Sequence, residues 1–281
     1  MYADGSIDWE AHERLVRWHV ESGTAGVVPM GTTGESATLN THEHLEVISR
    51  TIELANGRIS VVAGTGSNST EETLHQTKEA ESLGADACLL VTPYYNRPTQ
   101  EGLYAHFKKV AETTSVPLVL YNVPGRTGCD LLPETIGRLS SIEGIVGIKE
   151  ASGKIERVSE IRSVSASDFF ILSGEDALTL EMMNNGAVGT ISVTANVLPK
   201  AMAGFCDSFL SGNIKRASAI DEVLQSVHEI LFIESNPTPA KWALHQMGII
   251  HEGIRMPLLP LSSRHRSELK KRIDEAMEAL K

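Results

Sequence analysis

Short apolar runs recur along the chain about every 20 to 35 residues, and a stretch of helical periodicity follows each of them. This is the pattern of β/α units that lay parallel strands side by side. A parallel crossover needs a dozen or more residues, and a helix supplies them. The runs fall at 25–30, 59–63, 87–92, 116–121, 145–149, 169–173 and 188–193. They are nearly continuous in Val, Ile, Leu and Ala, as strands covered on both faces should be.

The intervening stretches carry helix signals. Asn40 to Glu43 and Ser69 to Glu72 both read as capping boxes, in which a side chain accepts from free backbone N–H groups and the acid reaches back. Pro133 suits a first helical turn, and Gly23, Gly57 and Gly84 follow periodic segments as C-terminal glycines do. After the last run only helical patterns remain, at 197–210, 214–233, 240–247 and 263–280. No linker or charge block divides the chain. We read residues 1–195 as a β/α barrel body and 196–281 as the last barrel helix plus a helical extension, in one structural unit.

Eight β/α units close a barrel of about 250 residues. The chain offers seven runs, and residues 1–7 are too few and too polar to supply an eighth. Either the sheet is not a closed barrel, or it is a (β/α)8 barrel whose first strand is missing, which would expose two unpaired edges that natural folds avoid.

Lys plus Arg number 25 against 36 for Asp plus Glu, a net charge of −11 that argues against a nucleic-acid binder. No run approaches the roughly eighteen apolar residues that span a bilayer, and residues 1–6 show neither a basic nor an apolar leader region. Cys88, Cys129 and Cys206 are far apart and odd in number, which fits a reducing cytosol rather than a disulfide scaffold. His42 and His44 have no neighbours that complete a coordination set, so no metal site is expected.

In such barrels the reactive groups project from the C-terminal strand ends. Lys149 is the one lysine inside a strand run. Burial there disfavours the ammonium, and a neutral amine can attack a carbonyl to form a Schiff base. The alternative is a charged head that snorkels outward. Tyr121 ends the preceding strand, either as a proton carrier beside the lysine or as a core tyrosine. Arg126 follows in a Pro-Gly loop, where a guanidinium suits a carboxylate or simply meets solvent. Thr32 and Thr33 lie in a glycine-flanked turn leading into a helix, a weak anion cradle without the GK[ST] of a phosphate loop. Tyr94 and Tyr95 read as packed aromatics or a recognition edge, and Glu175-Asp176 as the acidic start of a helix.

Taken together, Gly31-Thr-Thr-Gly-Glu35, Val91-Thr-Pro-Tyr-Tyr95, Tyr121-Asn-Val-Pro-Gly-Arg-Thr-Gly128 and Gly147-Ile-Lys-Glu150 occur in order, one per strand end. From Met1 to near the C-terminus the chain closely resembles the 4-hydroxy-tetrahydrodipicolinate synthase (dihydrodipicolinate synthase) branch of the pyruvate-dependent class I aldolase family. N-acetylneuraminate lyases belong to the same family. The resemblance implies a cytoplasmic homotetramer of (β/α)8 barrels that condenses pyruvate with L-aspartate 4-semialdehyde in the diaminopimelate and lysine branch, using no metal or organic cofactor. Lys149 then matches the Schiff-base lysine and Tyr121 the proton donor and acceptor. Thr32 and Tyr95 match its relay, with the tyrosine reaching in from a neighbouring subunit. Thr33, Gly174 and Ile191 match pyruvate-contacting positions, and Arg126 matches the grip on the semialdehyde carboxylate. Ala37, His44, Asn68, Glu72 and Tyr94 match a lysine-feedback site, with Thr41 where enterobacterial-type enzymes have a histidine.

Two other readings stay open at this point. One is a sugar-acid aldolase, such as an N-acetylneuraminate or 2-keto-3-deoxygluconate lyase, since loops set the substrate on a shared fold. The other is a catalytically silent barrel. Family members also carry a strand ending in Thr-Pro-Met or Thr-Pro-Phe just before Asp-Gly. Here that methionine is residue 1, so the expectation is a natural product about a dozen residues longer.

Overall fold

A computed structural model describes all of residues 1–281. Six parallel strands lie in sequence order: β1 (Gly26–Val27), β2 (Ser60–Gly64), β3 (Ala87–Val91), β4 (Leu118–Asn122), β5 (Ile145–Glu150) and β6 (Phe170–Ser173). All five pairings are parallel, with helices between the strands. Six of the seven expected runs are therefore strands. The seventh, 188–193, is not: it keeps one bridge, Ser173 to Thr190, because the backbone of Val193 and Thr194 turns away to the carboxylate of Asp176. Asp176 Oδ2 accepts those two N–H groups at 2.9 and 2.8 Å, so this buried acid, which opens the 3-10 turn Asp176–Leu178 and the helix after it as the sequence suggested, also holds a loop. β1 and the Thr190 bridge are not joined by backbone pairing, and a cavity of about 420 Å³ is lined from both sides by Gly26–Gly31 and Thr190–Val193.

Alternation along the strands builds two cores. Leu118, Leu120, Ile145, Ile148 and Ile171 point outward and pack with Phe107, Ile136, Leu139, Val158 and Ile161 of the covering helices. Leu89, Val119, Tyr121, Val123 and Ala151 form a smaller inward cluster. Full burial of each such side chain contributes about 1.5–3 kcal/mol, so the outer layer carries most of the stability.

The parity breaks once. Leu118 pairs with Ile145, but Val119 pairs with Gly147, so β5 holds one extra residue at Val146. A bulge of this kind shifts every later side chain to the other face. Gly147 tolerates the position because a Cβ there would lie 2.4 Å from the Phe170 ring.

Helix caps follow the sequence in part. Asn40 and Glu43 form the complete capping box. Ser69 accepts from Glu72 N, but the Glu72 carboxylate turns instead to Ser67 Oγ at 2.6 Å. The C-terminal helices run Pro199–Leu210, Ile214–Ile230, Thr238–Gln246 and Ser263–Ala279, close to the expected spans. They and the segment between the last two are tied back to the turn and helix that follow β1: Lys241 Nζ bonds Glu35, and Arg255 forks onto Glu43 at 2.6 and 2.8 Å. No helix is long and apolar enough to cross a membrane.

Candidate active site

β4 and β5 end on the cavity with Tyr121 directly opposite Lys149. The lysine is half-buried, and its Nζ sits 4.3 Å from the centroid of the Tyr121 ring. An amine against a phenol at a strand end has a proton carrier at hand and an open side toward the cavity.

The turn after β1 supplies the second wall. Met30 and Glu35 both adopt left-handed backbone conformations, with φ of 62° and 58°, and Gly34 N and Glu35 N bond back to Gly31 O and Thr32 O. Such conformations persist only where surroundings hold them. Here the Glu35 carboxylate, buried at 7% exposure, bonds Lys241 and the backbone N–H of Arg255. Asn236 Nδ2 donates to Thr33 Oγ1 at 3.0 Å. Sequence alone assigns no role to Lys241 or Asn236 and places Glu35 only within a motif, since the partners lie more than 200 positions apart.

Arg126 lies on the short helical turn Pro124–Thr127, exposed at the cavity's edge. Thr32, Thr33, Tyr121, Arg126, Lys149, Gly174 and Ile191, drawn from the ends of β1, β4, β5 and β6 and from the 188–193 run, all line the one cavity. A volume of this order is typical of small-molecule sites, which run roughly 300–1,000 Å³. Glu175 joins them there. Burial raises its carboxyl above the ordinary glutamate range, with neighbouring Asp176 acting in the same direction and Lys149 opposing.

Tyr95 is not in the cavity. It is 89% exposed, with φ of 74°, and its backbone N–H donates to Thr127 O at 3.1 Å, which fastens it to the Arg126 turn while its ring projects outward. The five remaining candidates lie outside the cavity as well. His44 is buried, and its Nε2–H donates to Gly64 O at 2.7 Å, with burial pushing its pKa down. Asn68 O accepts from Asn96 Nδ2 at 2.8 Å; Glu72 and Ala37 are exposed, and so is Tyr94.

The model of the dihydrodipicolinate synthetase family matches residues 1–276. Over 264 residues the chain is 54% identical to the 4-hydroxy-tetrahydrodipicolinate synthase of Ectopseudomonas mendocina, covering 94% of this chain and 90% of that one. Against the synthase of Methylococcus capsulatus identity is 53% over 276 residues, covering 98% and 95%. Among solved structures, a chloride-inhibited dihydrodipicolinate synthase from Acinetobacter baumannii complexed with pyruvate superposes with a TM-score of 0.97 at 49% identity. It covers 99% of this chain and 95% of its own.

Proposed function

The chain belongs to the dihydrodipicolinate synthetase family, and we propose that it acts as a 4-hydroxy-tetrahydrodipicolinate synthase, condensing pyruvate with L-aspartate 4-semialdehyde. The observation that carries this is the Lys149 amine held 4.3 Å from the Tyr121 ring in a cavity that also holds Thr32, Thr33 and Arg126.

The chemistry runs as follows. Lys149 Nζ adds to the pyruvate keto carbon through its lone pair, and Tyr121 passes a proton to the departing hydroxyl so that water leaves and an imine remains. Loss of a methyl proton gives an enamine, whose terminal carbon bonds the aldehyde carbon of the semialdehyde while the aldehyde oxygen takes up a proton. The semialdehyde's own amine then displaces Lys149 from the imine carbon, closing a ring and freeing the enzyme. Thr33, Gly174 and Ile191 seat the keto acid, and Arg126 pairs the semialdehyde carboxylate bidentately. Thr32 and a partner subunit's copy of Tyr95 relay protons to Tyr121; the outward projection of Tyr95 supports that reading and with it a homotetramer.

The wider reading is a cytoplasmic enzyme built on a (β/α)8 barrel, with residues 1–195 as its body and 196–281 as its helical extension. The gap between β1 and Thr190 supports a barrel whose first strand position is unfilled. Lysine feedback at Ala37, His44, Asn68, Glu72 and Tyr94 belongs to the same proposal.

Borohydride reduction in the presence of pyruvate tests the core of it. The chain should gain the mass of reduced pyruvate at Lys149, and Lys149→Ala should gain none. Turnover with aspartate semialdehyde but not with sialic or deoxygluconic acids would separate this synthase from a sugar-acid aldolase. An unmodified parent chain would sink both.

A further inference from the structure

Tyr121 and Lys149 face the cavity, so the residues after them, Asn122 and Glu150, face the opposite side of the sheet. There they are 0% and 1% exposed. Asn122 uses both ends of its amide. Its Nδ2 donates to Glu150 Oε2 at 3.1 Å and to Asp130 Oδ1 at 2.8 Å, and its Oδ1 accepts Leu131 N at 3.0 Å. The other Glu150 oxygen accepts Ser152 N at 2.6 Å. Arg157, 4% exposed, grips both oxygens of Asp130 at 2.9 and 3.0 Å and donates to Leu131 O at 3.3 Å.

None of the four side chains reaches the cavity. Apolar residues of similar volume would stabilise such a site at least as well, so stability alone does not account for a buried network. Its placement does. Asn122 adjoins Tyr121, Glu150 adjoins Lys149, and Asp130 ends the loop that carries Arg126. One amide thus fastens the three backbone segments whose relative spacing decides whether phenol, amine and guanidinium converge. A misplacement of about 1 Å in such a site costs on the order of a hundredfold in rate.

We infer that Asn122 is a positioning residue with two separable links: through Glu150 it aims Lys149 at Tyr121, and through Asp130 it holds the Arg126 loop. This rests on the aldolase reading above and deepens it.

The test uses the full chain and two readouts, the rate of borohydride-trapped pyruvate imine and the steady-state constants with aspartate semialdehyde. Glu150→Gln, which turns a donor toward Ser152 N, should slow trapping about tenfold and leave KM for the semialdehyde within about twofold. Asp130→Asn should do the reverse, and Arg157→Lys, which keeps the charge but loses the fork, should repeat it if Asp130→Asn does not fold. Asn122→Asp should move both constants. Combining it with Glu150→Gln exchanges amide and carboxylate across one hydrogen bond, and should restore trapping while KM stays high. Variants that only lower the melting temperature, or that shift both readouts in parallel, would reduce the network to a structural one and overturn the inference. An untrapped parent chain would instead remove the enzyme reading and this inference together; a trapped parent with inseparable variants removes the inference alone.

Discussion

Tyr121 stands opposite Lys149 only because β5 carries one more residue than β4 between their first and second pairings. Continued without that bulge, the register begun at Leu118 and Ile145 would set Ile148 opposite Tyr121 and turn the lysine toward the helices. Gly147 makes the bulge possible, since any Cβ there enters the Phe170 ring. Gly147→Ala should therefore cost about 1–3 kcal/mol in urea unfolding, as overpacking does. It should also slow imine trapping, whereas Val146→Ala, one residue away, should spare trapping. Equal effects of the two on trapping would contradict the role given to the bulge.

Gly174 is constrained from the other side of the lysine. A methyl group on it would sit 2.9 Å from Lys149 Cε and 2.7 Å from Ala151 Cβ. Gly174→Ala should push the amine off its line to the cavity and lower imine formation by about tenfold to a hundredfold. A trapping rate within twofold of the parent would show that the lysine has room the distances do not reveal.

Much of this site was legible in the sequence because parallel strands put their chemistry at predictable ends. Thr32, Thr33, Tyr121, Arg126, Lys149, Gly174 and Ile191 each follow or close an apolar run, and all seven line one cavity. What was not legible depends on distant partners or on backbone detail. The run at 188–193 has strand composition, but the buried carboxylate of Asp176 bends its end into a turn. Glu72 had a capping-box position, yet a nearer hydroxyl on Ser67 claims its carboxylate. The bulge at Val146 has no signature beyond a glycine, and the partners of Glu35 and Asn122 become neighbours only in the folded chain.

Arg126 is exposed, makes no side-chain ion pair within the chain, and stands at the cavity's edge. It should thus serve the second substrate rather than the first. Arg126→Ala is expected to raise KM for aspartate semialdehyde at least about tenfold, the loss of a charge-assisted bidentate pair. The rate of pyruvate trapping should stay within about twofold. Parallel losses in both would mean that the guanidinium supports the loop rather than the substrate.

The ion pair between Glu35 and Lys241 joins the turn after β1 to the C-terminal helices, with side chains only 6% and 12% exposed. Burial pushes the Lys241 pKa down while Glu35 opposes that shift, so the charged lysine depends on its partner. Lys241→Met strands the carboxylate and should cost about 3 kcal/mol or more in denaturant unfolding. The double variant Glu35→Gln with Lys241→Met should recover most of that loss. A double variant as unstable as the sum of the singles would show that the two groups do not couple.

Stability should also fall with acid in a window set by buried histidines. Burial brings His12, His19 and His106 down to about 4, with the charge of Arg50 acting on His12 in the same direction. Each is thus neutral in the folded chain at pH values where the unfolded chain, titrating near 6.5, already holds a proton. The unfolded state binds the extra protons, so the stabilisation is complete above about 6.5 and is lost as pH falls toward 4. His106 is the cleanest probe: it is 6% exposed, and its ring bonds Thr70 Oγ1 at 2.9 Å. In His106→Gln the slope of unfolding free energy against pH across this window should shrink by nearly one proton, about 1.4 kcal/mol per pH unit. Urea titrations of parent and variant at half-unit intervals between pH 4 and pH 7 measure it. An unchanged slope would mean that His106 takes up its proton in the folded state as readily as in the unfolded one.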